Sequence, residues 1–314
     1  MKKAILLGIS SAFFFSFTFV LNSKMNISGG SWIWSASLRY IFMLPILHII
    51  MILRNESTYV IKDILKRPTK WLIWSTVGFG LFYAPLSFSS IYSPSWVVSS
   101  TWQITIIAGA LLSPLFYEYI KTEKGVLKRR NKIPKKSLIM SLIILIGVFL
   151  IQFEQKGQGS MCRNLIGIIP IVIAAFSYPL GNRKMMEVCD DKFNTFQRVY
   201  GMTIASMPFF IFLSVFGLLK IGMPQKQQII QSLLVAIFSG IIATILFFKA
   251  TDLVKENSHK LAAVEATQSG EVIFTLLGEV LVLQGKLPTI VGLIGIILVV
   301  IGMGLNSFVA NEKS

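Results

Sequence analysis

The chain has 314 residues, 54% of them hydrophobic and 14% charged, with a mean hydropathy of +0.70. A soluble domain carries about 25% charged residues, so this composition excludes a soluble globule and points to a polytopic membrane protein. The formal net charge of +16 implies no nucleic-acid partner, because the basic residues sit in short connectors between apolar runs, where Lys and Arg report orientation.

The first apolar run, 4–21, lies in MKKAILLGISSAFFFSFTFVLN. It has the basic start and apolar core of a secretory leader. It is long, however, and lacks a small-x-small cleavage site, so a retained first helix is expected. Nine further runs follow at 32–53, 71–90, 96–117, 137–153, 165–181, 195–219, 229–249, 261–284 and 288–308. Each is near the roughly 20 residues that a span needs. The Pro-containing break SSIYSPSW (89–96) separates the third from the fourth. Connectors 54–70, 118–136, 182–198 and 250–260, with both termini and Lys249, hold 23 Lys and Arg, against 6 in the alternate connectors. The positive-inside rule then puts both termini in the cytoplasm and requires an even number of spans in the cytoplasmic membrane. Cys162 and Cys189 fall in connectors on opposite sides, so neither a disulfide nor a metal pair is expected.

The chain also matches itself. A shift of 159 residues lays Gly8-Ile9 on Gly167-Ile168, FTF (17–19) on FSY (176–178) and Arg39 on Arg198. KIPKKSLIMSLIILIGVFLI matches KLPTIVGLIGIILVVIGMGL, with Pro134 on Pro288, and Glu118 falls on Glu279. The expected fold is an all-α polytopic membrane protein of ten transmembrane helices in two five-helix repeats, 1–153 and 165–310, joined by a linker at 154–164. Five is odd, so the second repeat is inverted. That arrangement suits alternating access, with the site between the halves.

The resemblance that these features carry is to the drug/metabolite transporter (EamA-like) superfamily. SLRYIFMLP, TWQITIIAGALLSPLFYE and VEATQSGEVIFTLLGE resemble its ten-helix multidrug resistance efflux transporter branch. The resemblance implies a secondary transporter with no cofactor. One departure stands out: the four-helix small multidrug resistance proteins use a glutamate in their first helix, and neither run one nor run six has an acidic residue here.

The acidic residues are in run nine instead. At 100° per residue, with Glu265 at 0°, Gln268, Glu271, Thr275 and Glu279 fall within a stripe about 120° wide. Such a face looks into the bundle or a wet cavity rather than into lipid. Burial disfavours the charged form of a carboxylate, so Glu271, nearest the midplane, is the first candidate for proton coupling or cation binding. Glu265 and Gln268 are next, and Glu279 is expected to be structural. The bland alternative makes all of them fixed partners of arginines. Arg39 lies about 10 Å inside run two at 1.5 Å per residue. It is expected to pair with Glu271 or Glu279, and Arg198 with Glu265; the alternative has each arginine capping carbonyls or meeting lipid phosphate. In run four Trp102 and Gln103, with Tyr83 from run three, are candidates to line a pathway for organic cations; the alternative is close packing through small residues. Trp96 reads as a belt residue at the membrane interface. Gly292, Gly295, Gly302 and Gly304 read as packing positions, with dimerisation the lesser alternative.

No catalytic residue, metal site or phosphate-binding loop is read, so no enzyme and no ATP drive is expected. The expected function is proton-coupled export of a small lipophilic or cationic compound. A metabolite or amino-acid exporter of the same superfamily and a lipid scramblase are the alternatives. A monomer suffices for the cycle, and a dimer is compatible with it.

Overall fold

A computed structural model describes residues 1–122, 125–156, 161–190, 192–255 and 257–311. Lys124, Lys313 and the side chains of Glu118, Cys162 and His259 lie outside the described residues. Helix α1 (Lys2–Ile27) turns through Gly29, at φ 80°, into α2 (Trp32–Leu53), whose first turn is capped by Ser31 accepting from the Ile33 N–H at 3.2 Å. A short amphipathic helix, α3 (Ser57–Lys66), fills part of the connector expected at 54–70. Pro68 then starts α4 (Pro68–Ser89), which contains a π-helical turn at Thr76–Gly80. The second half contains α8 (Met161–Cys189), α9 (Thr195–Lys220) and α10 (Lys226–Asp252). A reciprocal capping box of Asn194 and Gln197 opens α9, and α10 carries a second π-helical stretch at Ala236–Ala243. These six apolar helices, α8 counted from Leu165, are long enough to cross a membrane.

Four other expected spans differ. Helices α7 (Lys135–Lys156) and α13 (Ile290–Asn311) hold shorter apolar stretches, Leu138–Glu154 and Ile290–Leu305. The run at 96–117 is divided into α5 (Ser95–Trp102) and α6 (Ile104–Leu111), and the run at 261–284 into α11 (Ser258–Ala266) and α12 (Gly270–Val282). Side-chain chemistry marks both divisions. At the first, the Gln103 amide donates to the Ser99 carbonyl at 3.1 Å and to the Gln268 carbonyl at 3.3 Å. At the second, Thr267 Oγ1 bonds back to the Val264 carbonyl at 2.6 Å within a 3-10 turn, Thr267–Ser269. Both patterns compete with the helical ladder. The all-α expectation also needs correcting at the connector that follows α6. There β1 (Tyr117–Thr122) pairs antiparallel with β2 (Gly125–Arg130), Tyr117 opposite Arg130.

The helices pair in a regular way. Helix α1 packs on α10, and α4 packs on α8; α2 pairs with α9, α5 with α12, and α7 with α13. Small residues permit the closest of these. A Cβ on Gly147 would sit 2.6 Å from the Gly295 carbonyl, and one on Gly302 would sit 2.8 Å from the Ile144 side chain. Gly292 also meets a neighbour, Pro288, at 2.9 Å, while Gly304 faces open space. The interior is rich in Ser, Thr, Ala and aromatic residues, and the outer faces carry Ile211, Phe212, Phe149, Leu277 and Leu281. That is the inverse of a water-soluble surface and suits contact with lipid. Cys189 ends α8, buried, with its thiol unpaired.

Candidate functional site

A cavity lies between α1, α4, the α5–α6 pair, α8, α10 and the α11–α12 pair. Its walls are aromatic. Phe82 lies 5.0 Å from Trp102 and 4.6 Å from Tyr178, and Tyr178 is 5.9 Å from Phe247 (ring centroids). Phe15 and Phe19 of α1 close another side. Sequence analysis missed Tyr178, Asn182 and Phe247. The first two stand at i and i+4 on α8 and so share one face, with Pro179 between them. Pro179 has no N–H to give the Ala175 carbonyl four residues earlier. Thr105 Oγ1 of α6 takes that carbonyl at 3.0 Å, which ties α6 to α8 at the cavity wall. The π-helical stretch of α10 is satisfied in the same way: Ser11 Oγ donates to the Ala243 carbonyl at 2.9 Å.

Glu265, Gln268 and Glu271 all line the cavity. The polar stripe of the former run nine does face inward: Gln268, Glu271, Thr275 and Glu279 are buried, while Ile273, Leu277 and Leu281 on the opposite face are exposed. The three carboxylates differ in their partners. Glu265 takes two bonds from Arg183 Nη2, at 2.9 and 2.8 Å, and Arg183 Nη1 also donates to the Gly109 carbonyl at 2.7 Å. Glu279 accepts from the Ser95 N–H at 3.0 Å and from the Ser95 hydroxyl, which caps the start of α5. Glu271, 2% exposed, leaves Oε2 without a hydrogen-bond partner among the described residues. Its polar neighbour is the Gln103 side chain, whose Oε1 is also unpartnered. Two more polar atoms of lining residues, the Tyr178 hydroxyl and Asn182 Oδ1, lack partners among the described residues. An orphan buried acceptor costs about 1–3 kcal/mol, so a cluster of them beside a cavity is a place prepared for something else.

The structure pairs the arginines differently from the sequence expectation. Arg198 bonds Asp252 at 2.8 Å, not Glu265, and lies over the Phe248 ring at 4.7 Å. Arg39 has no carboxylate partner among the described residues. It donates to Thr18 Oγ1 at 3.2 Å and lies 4.0 Å from the Tyr83 ring centroid. Tyr83 itself is fully buried, with its hydroxyl 3.3 Å from Asn22, and does not reach the cavity, whereas Trp102 does. Trp96, expected at the interface, is 3% exposed and packs beside Val97 and Ile106. Three residues beyond Gln103 the lining residue is Ile106; three residues beyond Gln268 it is Glu271.

Comparison with known proteins gives these sites a context. Residues 2–312 match the family model described as "EmrE: Putative multidrug resistance efflux transporter". The "Uncharacterized protein YjlA" of Bacillus subtilis (strain 168) is 50% identical over 311 residues, which cover 99% of this chain and 96% of that one. The "Uncharacterized 42.1 kDa protein in intracellular alkaline protease 3'region" of Shouchella clausii is 48% identical over 270 residues, 86% of this chain and 70% of its own. A protein of known crystal structure shares the fold with a TM-score of 0.67 over 100% of this chain and 99% of its own, at 12% identity.

Proposed function

We propose that this chain, which belongs to the EmrE family of multidrug resistance efflux transporters, exports small organic cations in exchange for protons. The observation that carries this reading is Glu271: a deeply buried carboxylate with an unpartnered oxygen, set against an aromatic-walled cavity. Aromatic faces attract organic cations, and a buried carboxylate favours either a proton or a cation over standing alone. A proton on Glu271 Oε2 removes the buried charge and leaves a neutral acid. A bound cation relieves the carboxylate by charge. The two ligands therefore compete for one group, which is the requirement for exchange.

In this reading ten segments cross the cytoplasmic membrane, with α5–α6 and α11–α12 as broken spans. Lys and Arg in alternate connectors orient both termini to the cytoplasm. The halves are inverted repeats, and the packing supports this. Exchanging the first five segments with the last five turns the α1–α10 contact into the α8–α4 contact and the α5–α12 contact into the α11–α6 contact, and returns α2–α9 and α7–α13 to themselves. The π-helical stretches of α4 and α10 and the two broken segments fall at equivalent places. Broken spans around a site at mid-depth are what an alternating-access mechanism uses. The Arg183–Glu265 pair holds α8 to α11 on the cytoplasmic side and has to part when the cavity opens inward. One chain contains both halves, so a monomer completes the cycle.

The test is reconstitution of the purified protein in vesicles with an imposed pH gradient. Ethidium accumulation that follows the gradient, and that Glu271→Gln abolishes while the variant stays folded, supports exchange. Ethidium movement that ignores the gradient in the wild type overturns it.

A further inference from the structure

The cavity has an uneven charge inventory. Helix α12 packs on α1, α5 and α13. Among the described residues, none of these brings a titratable side chain to the cavity: α1 offers Phe15, Thr18 and Phe19, and α5 offers Trp102. Helix α8 brings Tyr178, and its Arg183, outside the lining, neutralises the lining residue Glu265. Glu279 is bound to Ser95. That leaves two groups without an ionic partner, Glu271 and Arg39. Arg39 is 1% exposed, with Nε unbonded. Its Nη1 is bonded to Thr18, a lining residue, so the guanidinium sits one side chain behind the cavity wall. Arg39 and Glu271 both lie within electrostatic reach of the Tyr178 hydroxyl. An arginine in a protein does not give up its proton, so its charge is present in every state of the cycle.

Resting on the reading of the cavity as a proton-exchanging cation site, we propose that it trades one proton for one singly charged organic cation and rejects dications, with Arg39 setting the limit. The charge count runs through three states. With Glu271 ionised and the cavity empty, Glu271 and Arg39 cancel. With Glu271 protonated, the site carries one net positive charge. With Glu271 ionised and a monocation bound, it again carries one. The two states that cross the membrane are equal in charge, so exchange is electroneutral. A dication brings a second uncompensated positive charge to a site facing Arg39. Two like charges on the order of 10 Å apart, at an effective dielectric constant of about 20, repel by an amount worth tenfold or more in affinity.

The experiment counts protons on the purified full-length protein in weakly buffered detergent solution, with ethidium as monocation and methyl viologen as dication. Binding and proton release are both followed across roughly pH 5 to 9. The expected maximum is one proton released per ethidium bound, with none in Glu271→Gln, and methyl viologen binding at least tenfold more weakly. Arg39→Lys keeps that gap, and Arg39→Gln narrows it. Two protons per ethidium, or methyl viologen bound as tightly as ethidium, overturns the proposal while leaving the cation site standing. No binding of ethidium by the folded wild type removes the cation site itself, and this proposal with it. If Arg39→Gln does not fold, the wild-type proton count and dication affinity decide alone.

Discussion

The Arg183–Glu265 pair makes a quantitative prediction. Its two bonds to Nη2 and the third from Nη1 to the Gly109 carbonyl join α8, α11 and α6. Arg183→Met strands the Glu265 carboxylate, while the Gly109 carbonyl keeps the Ser113 hydroxyl at 3.3 Å; Glu265→Gln leaves the guanidinium charge unpaired. A sealed pair loses about 3–5 kcal/mol when one partner is removed. Here the side chains keep 13% and 16% exposure, so water reaches the survivor and a single change costs about 2–3 kcal/mol. Removing both partners leaves no stranded charge, so the double variant loses less than the sum of the singles. Coupling of about 1.5–3 kcal/mol is expected, in the range measured for close charge pairs. Thermal unfolding of the four purified proteins in one detergent measures it. At about 1.5 °C per kcal/mol for a chain of this size, each single variant falls by about 3–5 °C. Double-variant losses equal to the sum of the singles would show that the two side chains merely lie near each other.

Three further outcomes follow from the same geometry. If a proton and the cation compete for Glu271 as proposed, wild-type affinity for ethidium rises with pH and Glu271→Gln flattens the profile; fluorescence titration of the purified protein reads both. Trp102→Ala removes an aromatic wall that touches Phe82 and Tyr178 and weakens ethidium binding about tenfold, as loss of a desolvated cation–π contact does. Gly295→Leu drives a side chain into α7, where even a Cβ would meet Ile151 at 2.7 Å and the Gly147 carbonyl at 2.8 Å; a loss of about 3 kcal/mol or more should appear as poor yield and a lowered Tm.

Some of this was legible in the sequence, and the reasons are local. Run 32–53 coincides with α2 because a polar turn and a serine cap precede a long, mainly apolar run there. The inward face of α12 was visible because helical spacing puts its polar residues on one side. The divisions in the runs 96–117 and 261–284 were not visible. Hydropathy sums over about 20 residues and does not register an amide or hydroxyl drawing a carbonyl out of the ladder, as Gln103 and Thr267 do. Arginine partners were assigned by depth, and depth fixes a position along the membrane normal but not around it. Asp252, which holds Arg198, was read as part of a connector. Tyr178 was passed over because one Tyr in an apolar run looks like packing, and Asn182 because it fell at the start of the connector 182–198. Their shared face, with a proline between them, was the signal available. The hairpin at 117–130 follows a run whose apolar residues gave no hint of strand.

Ile106 and Glu271 hold matching positions after Gln103 and Gln268, and both reach the cavity. An assembly of two identical chains presents every charge twice, and a mutation changes both copies at once. A single chain that carries both walls escapes that constraint. Its walls can drift apart, one codon at a time. Position 106 is free to gain a charge while position 271 keeps the one it has. If the cavity exchanges protons for cations as proposed, exchange ratio and substrate charge are then heritable traits that vary separately from the fold.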